Sequence, residues 1–234
     1  MEKEKKLSVI VPVYNEEKTL SRIIEKVQKS SLNIEKEIIV VNDASKDGSK
    51  EIILDLLKKY DNIKYFEHEK NMGKGAAIRT GLKNFDGDFV VIQDGDLEYN
   101  PEDFERLLEP ILAGKSDVVY GSRMKGKISG YQIPSHYYGN LFLSYITRIL
   151  YNKNVTDMET CYKMMKKEVA ESLNLKSNRF NVEPEITAKI IKKGYRLIEI
   201  PINYNSRSFL EGKKITWKDG LSAMATLLKY RFFD

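Results

Sequence analysis

The sequence predicts an α/β fold with a mainly parallel sheet covered by helices on both faces. Two observations carry this. Short β-branched runs alternate with stretches of helical periodicity through the first half of the chain, as repeated βαβ units require. The first of those runs are apolar at nearly every position, as strands buried on both sides must be.

The elements follow in order. Leu7–Val13 reads as a buried strand, and Leu20, Ile23, Ile24 and Val27 recur at helical spacing behind it. Glu37–Val41 is a second strand, and Ile52, Ile53, Leu56 and Leu57 mark a second helix. Ile63–Phe66 is a weaker strand, followed by a glycine-rich turn and a helix from about Gly75. Asp88–Ile92 is a fourth strand. Pro101 suits a helix's first turn, with Phe104, Leu107, Leu108 and Ile111 on one face. Asp117–Tyr120 is a fifth strand. The second half is less regular. Tyr138–Tyr151 is apolar and aromatic, broken mainly by Arg148, and is shorter than the ~20 residues that span a bilayer. It is a core helix or one lying at an interface. Glu185–Lys193 reads as a helix, Tyr195–Ile200 as a strand, Ser206–Lys214 as a polar basic loop, and Ile215–Phe233 as an amphipathic terminal helix.

Composition narrows the chemistry. Among 234 residues, 39 Lys+Arg against 34 Asp+Glu leave a net charge of +5 with acids interspersed throughout, which does not call for a nucleic-acid partner. One cysteine, Cys161, and two histidines, His68 and His136, rule out a disulfide framework and a Cys- or His-rich metal site. The charged start, Met1 to Lys6, is followed by no apolar signal segment, so a cytoplasmic location is expected.

In a parallel sheet, ligands bind beyond the carboxyl ends of the strands. Four loops there carry candidate residues. Asp94-Gly95-Asp96, with Glu98, follows the fourth strand. Carboxylates gathered at a strand end repel unless a cation neutralises them, and hard oxygen ligands select Mg²⁺ or Mn²⁺. The alternative is an acidic approach to the helix at Pro101. Gly95 allows close backbone approach to a ligand. Asp43 and Asp47, in Asn42-Asp43-Ala44-Ser45-Lys46-Asp47-Gly48-Ser49, either accept hydrogen bonds from a nucleotide or serve turn and cap chemistry. Asn71-Met72-Gly73-Lys74-Gly75 offers backbone N–H groups and a lysine to an anion, or is a simple glycine turn; it matches neither GxxxxGK[ST] nor GxGxxG. In Pro12-Val13-Tyr14-Asn15-Glu16, Tyr14 can stack on a base and Glu16 can bind ribose or cap the next helix.

Taken in order, VPVYNE, VVNDASKDGS, NMGKG, QDGDLEYNPED and VVYGSR resemble the family 2 glycosyltransferases of the GT-A fold, and among them the polyprenyl-phosphate mannose and glucose synthases. The resemblance is strong over about Leu7–Arg123 and weaker to about Lys214. It implies a Rossmann-like three-layer sandwich over residues 1–210, with a C-terminal amphipathic helical extension over 211–234. It implies a nucleotide-sugar pocket of Pro12, Tyr14, Glu16, Asp43, Asp47, Gly73, Lys74, Asp94 and Gly95. Asp94 and Asp96 become the metal-binding pair, with Glu98 as a third metal-shell oxygen. Ser122, Arg123, Arg207 and Lys213 fall on the acceptor and phosphate side. Glu159 stands near the position where relatives with hydroxyl acceptors place a catalytic base. The motif Gln-x-x-Arg-Trp of processive polysaccharide synthases is missing.

The implied reaction is inverting, metal-dependent transfer of a hexose from a nucleotide diphosphosugar, GDP-mannose or UDP-glucose, to a polyprenyl phosphate. Such a phosphate is largely dianionic near pH 7 and needs cations to orient it instead of a base. The apolar Tyr138–Tyr151 stretch and terminal helix would then lie peripherally on the cytoplasmic face of a membrane or against a membrane-protein partner. Three alternatives use the same residues: transfer to a sugar hydroxyl of a glycan, nucleotidyl transfer, and non-catalytic binding of a sugar nucleotide.

Overall fold

The computed structural model describes residues 4–130, 134–207 and 217–233. In chain order the elements are β1 (Lys6–Val13), α1 (Leu20–Lys29), β2 (Glu35–Asn42), α2 (Ser49–Lys59), β3 (Ile63–Glu67), α3 (Lys74–Lys83) and β4 (Phe89–Ile92). A 3₁₀ turn (Pro101–Asp103) leads into α4 (Phe104–Leu112), then β5 (Val118–Gly130), α5 (Pro134–Tyr151), β6 (Lys163–Lys166), α6 (Lys167–Ser172), α7 (Val182–Lys192), β7 (Leu197–Ser206) and α8 (Trp217–Phe232).

The strands form one seven-stranded sheet in the order β3-β2-β1-β4-β6-β5-β7. Pairs β3/β2, β2/β1, β1/β4 and β5/β7 are parallel, and β6 runs antiparallel between β4 and β5. Consecutive residues of β1, β2 and β4 are buried, which places apolar cover on both faces. α1 supplies part of that cover through Leu20, Ile23, Ile24 and Val27, and α4 through Phe104, Leu107, Leu108 and Ile111. The strand order reverses at β1/β4, so the loops leaving these two strands diverge and open a crevice.

The first half follows the expected alternation, and the second half departs from it. β6 was not foreseen: four residues, Lys-Met-Met-Lys, carry no β-branched signal and a lysine at each end. Lys163 is nonetheless fully buried, because Glu183 neutralises it there. β5 runs to Gly130, well past the expected Tyr120, since its polar second half pairs with Asn203–Ser206 of β7 across a register shift. β7 correspondingly begins at Leu197 and extends six residues past Ile200 to Ser206.

α5 is apolar on the wrong side. Its inward residues include Asn140, Ser144 and Thr147, while Tyr138 (67%), Phe142 (54%), Tyr145 (59%) and Ile149 (59%) are exposed. Positions 138, 142, 145 and 149 lie on one helical stripe. Each of these buried polar groups finds a partner: Asn140 Nδ2 donates to Asp157 at 2.7 Å, Ser144 Oγ accepts from Met158 N–H at 3.1 Å, and Thr147 donates to the Leu143 carbonyl at 2.8 Å, while Asn140 Oδ1 has none among the described residues. α8 packs on α5 and α7, with Tyr151 Oη donating to the Leu227 carbonyl at 2.7 Å and Lys192 Nζ to that of Tyr230 at 2.9 Å. Among the described residues, no helix is long and apolar enough to cross a membrane.

Candidate active site

The loops after β1, β2 and β4 clasp one another at the crevice. Asn15 and Ala44 take positive φ (53° and 57°), unusual for residues other than glycine, and the loop-to-loop contacts hold them there. Asn15 N–H donates to Ser45 Oγ at 3.0 Å, Lys46 N–H to Asn15 Oδ1 at 2.8 Å, and Glu17 N–H to Asp47 Oδ2 at 3.0 Å. Thr19 joins the β1 loop to the β4 loop, its single hydroxyl proton shared between Glu16 Oε2 and the Gly95 carbonyl, both 3.0 Å from Oγ1. A cleft of about 550 Å³ results. Its lining includes Pro12, Tyr14, Glu16, Asp43, Gly73, Lys74, Asp94, Gly95, Asp96, Glu98 and Arg207, all expected, and Asn71, Arg179, Phe180, Lys218 and Asp219, which were not.

Four carboxylates, Glu16, Asp94, Asp96 and Glu98, gather here around two cations. Lys74 Nζ lies 2.7 Å from Asp94 Oδ1. Arg207 lies 2.6 Å from Asp96 Oδ2 and 3.3 Å from Glu16 Oε2, and its backbone N–H donates to Glu98 Oε1 at 2.7 Å. Burial disfavours the Asp94 carboxylate, yet Lys74 holds its pKa below the usual value. Asp96 goes the other way: burial, then the charges of Asp94 and Glu98, push it up to about 8 against the pull of Arg207. The acids therefore exceed the neutralising power of the local bases. A hard divalent cation fits this donor set of carboxylate oxygens. Among the described residues no three Asp, Glu, His or Cys side chains already converge on one point. Asp94 and Asp96 could supply two ligands, the remainder coming from water or substrate oxygens.

Several expected residues have other partners. Glu98, expected as a third metal oxygen, instead accepts from Tyr204 Oη at 2.5 Å and from Arg207 N–H, so both oxygens anchor the end of β7. Asp43 borders the cleft but uses its oxygens on Met72 N–H (2.8 Å), Gly73 N–H (2.7 Å) and His68 Nδ1 (2.7 Å). Three N–H groups at and before the start of α3 are thus taken: Asp43 accepts from Met72 and Gly73, and Ala76 N–H donates to the Asn178 carbonyl at 3.0 Å. Gly73, at φ 97°, is required for that contact, since a Cβ there would sit 2.4 Å from the Asn178 oxygen. Asp47 lies outside the lining and ties the β2 loop to Glu17 and Ser49.

On the acceptor side, Ser122 is fully buried against Thr156 at 2.8 Å. Arg123 forms a bidentate pair with buried Asp157, both contacts 2.8 Å, and stacks over Tyr204. Neither lines the cleft. Glu159 does not line it either; burial and the nearby Glu183 charge raise its pKa to about 7, and its Oε1 has no hydrogen-bond partner among the described residues. Lys163, four residues on, pairs with Glu183. Lys213 lies outside the described residues.

The groups that motif reading missed are held by long-range contacts. Arg179 and Phe180 enter from the segment before α7, which Arg79 fastens to α3 through the carbonyls of Lys176 (2.7 Å) and Ser177 (2.8 Å). Lys218 and Asp219 come from the first turn of α8. A basic-aromatic pair, Arg179-Phe180, just before a helix was the one local signal available.

Residues 8–173 match the family described as Glycosyl transferase family 2. The chain is 29% identical to a dolichyl-phosphate beta-glucosyltransferase of Trichomonas vaginalis, over 97% of this chain and 73% of that protein. It is 32% identical to a dolichol-phosphate mannosyltransferase of Pyrococcus furiosus, over 90% of this chain but only 60% of that protein's length. The fold superposes on glucosyl-3-phosphoglycerate synthase from Mycobacterium tuberculosis, solved with Mn²⁺, uridine diphosphate and glucosyl-3-phosphoglycerate, with a TM-score of 0.74 at 18% identity, covering 97% of this chain and 80% of that one. The architecture is thus GT-A, and the chain belongs to glycosyl transferase family 2, as a glycosyltransferase.

Proposed function

We propose that the chain transfers a hexose, with inversion, from a nucleotide diphosphosugar to a polyprenyl phosphate at a membrane surface. The observation that carries this is the charge pattern of the cleft. Besides the acidic pair Asp94/Asp96 that would take a cation, four basic side chains, Lys74, Arg179, Arg207 and Lys218, border the same cavity, together with Glu16, Asp43, Glu98 and Asp219. That pattern suits two anions, a donor diphosphate and an acceptor phosphate. A divalent cation, Mg²⁺ or Mn²⁺, would be held by Asp94 and Asp96 and would stabilise charge on the departing diphosphate.

The remaining chemistry falls to the chain. Tyr14 and Pro12 border the base end. Glu98 and Tyr204 hold the Arg207 backbone so that its guanidinium faces the diphosphate. An acceptor phosphate oxygen forms a bond to the anomeric carbon as the bond to the diphosphate breaks. No proton need be removed, because the phosphate is already anionic. Positioning supplies much of the rate enhancement.

The lipid half of the acceptor is supported by α5, whose outward stripe of Tyr138, Phe142, Tyr145 and Ile149 suits the boundary of a bilayer. The names of the two curated relatives support the same reading. In it, the start of α8 serves as part of the acceptor wall, since Lys218 and Asp219 border the cleft.

A second reading, transfer to a sugar hydroxyl, draws on Glu159, a buried carboxyl near pKa 7 with an unpartnered oxygen, as a general base would be. One experiment separates them. The protein is incubated with labelled UDP-glucose or GDP-mannose, Mn²⁺ and polyprenyl phosphate in detergent. An organic-extractable, acid-labile product retained by Glu159→Gln supports the phosphate acceptor. Loss of turnover in Glu159→Gln with donor binding intact overturns it.

A further inference from the structure

Beneath the cleft floor runs a line of four charges of alternating sign. Lys163, on β6 and wholly buried, donates to Glu183 Oε2 at the start of α7 and to the Thr160 carbonyl. The other oxygen of Glu183 lies 3.2 Å from Lys74 Nζ, whose nearer partner is Asp94 at 2.7 Å. Glu183 is 3% exposed, and its Oε1 makes no hydrogen bond among the described residues beyond that ionic contact. Lys74 therefore stands between two carboxylates, one facing the cleft and one walled in.

A divalent cation that takes Asp94 competes with the Lys74 ammonium for the same oxygens. A buried ammonium that loses its counter-charge is strongly destabilised, so with Asp94 as sole partner the exchange would be opposed. Glu183 changes this. The ammonium has a second anion within a short side-chain movement, and Lys163 neutralises Glu183 when Lys74 leans towards Asp94. We propose that Glu183 is the counter-ion that lets Asp94 exchange Lys74 for a divalent cation, which makes Glu183 a positioning residue for the metal-bound donor. The inference rests on the reading of Asp94 as a metal ligand.

The test is a double-mutant cycle on the full chain, reading the affinity for Mn²⁺ alone by water-proton relaxation. Glu183→Gln weakens Mn²⁺ binding about tenfold relative to the parent, because Lys74 now clings to Asp94. In a Lys74→Met background no ammonium can be stranded, and adding Glu183→Gln changes the affinity by less than about threefold. If Glu183→Gln fails to fold because Lys163 is left unpaired, the same cycle is run on Lys163→Met, where that cation is gone. Equal losses with Lys74 present and with Lys74→Met in place mark Glu183 as merely structural and overturn the inference while leaving the metal reading intact. Mn²⁺ binding that is absent, or unmoved by Asp94→Asn, overturns both.

Discussion

Two walls of the molecule place their charges differently: the first is formed by the loops after β1, β2 and β4, and the second by β5, β6, β7, α5, α7 and α8, of which only the start of α8 and Arg207 just past β7 reach the cleft. On the first wall, apolar strands end in short polar loops that clasp one another at the surface, as Asn15 does with Ser45 and Asp47 with Glu17, and the buried acids there, Asp43, Asp96 and Glu98, lie at the strand ends bordering the cleft. On the second, charges are driven into the sheet, with Asp157 and Lys163 fully buried and Glu183 nearly so, while the aromatic face of α5 points outward. Under the proposed function, a wall with ionic groups inside and apolar ones outside would stand between a phosphate and an apolar medium, whereas the first wall would hold a nucleotide in water.

The contrast sets the order of expected effects. Asp157→Asn strands Arg123 in the second wall and should cost about 3–5 kcal/mol in urea unfolding, whereas Asp47→Asn, at an exposed clasp on the first, should cost about 1 kcal/mol or less. Equal losses would erase the distinction between the walls. Gly73→Ala, where the two walls touch, should cost about 1–3 kcal/mol, because a Cβ would collide with the Asn178 carbonyl at φ 97°. A melting temperature unchanged by it would mean the contact is loose.

On the outer face, Phe142→Ser combined with Ile149→Ser should leave folding stability within about 0.5 kcal/mol, yet weaken sedimentation with anionic liposomes about tenfold or more. Undiminished liposome binding would separate α5 from any membrane role. The smallest effect concerns pH. Asp96 must be ionised to hold a cation, and burial with its acidic neighbours raises its pKa to about 8. Mn²⁺ affinity should therefore climb with pH, by at most about tenfold per unit, and level off above that value. A flat profile between pH 6 and pH 8 would show that Asp96 takes no part.

The two walls were also unequally legible in the sequence. The first was readable because its information is local: a buried strand announces itself by composition, and the loop after it contains the residues that matter. Even there, spacing located Asp43 and Asp47 but not their work, since the N–H groups of Met72 and Gly73 that claim Asp43 lie about thirty positions away. The second wall was largely hidden. β6 shows a lysine-flanked tetrapeptide with no strand signature, and only its partner in α7 makes burial of Lys163 tolerable. Arg123 looked like a phosphate ligand because nothing nearby in sequence reveals Asp157 as its mate. The apolar run of α5 was visible, but which face turned outward depended on Asn140 and Ser144 finding partners near Asp157.

The central claim is that Asp94 and Asp96 hold a divalent ion and, through it, the pyrophosphate of an activated sugar. Thermal unfolding with UDP- and GDP-sugars, each with and without Mn²⁺, tests it most directly. One sugar nucleotide should raise the melting temperature only when Mn²⁺ is present, and Asp96→Asn should abolish the rise. A shift of the same size without metal, or one that survives Asp96→Asn, would contradict it.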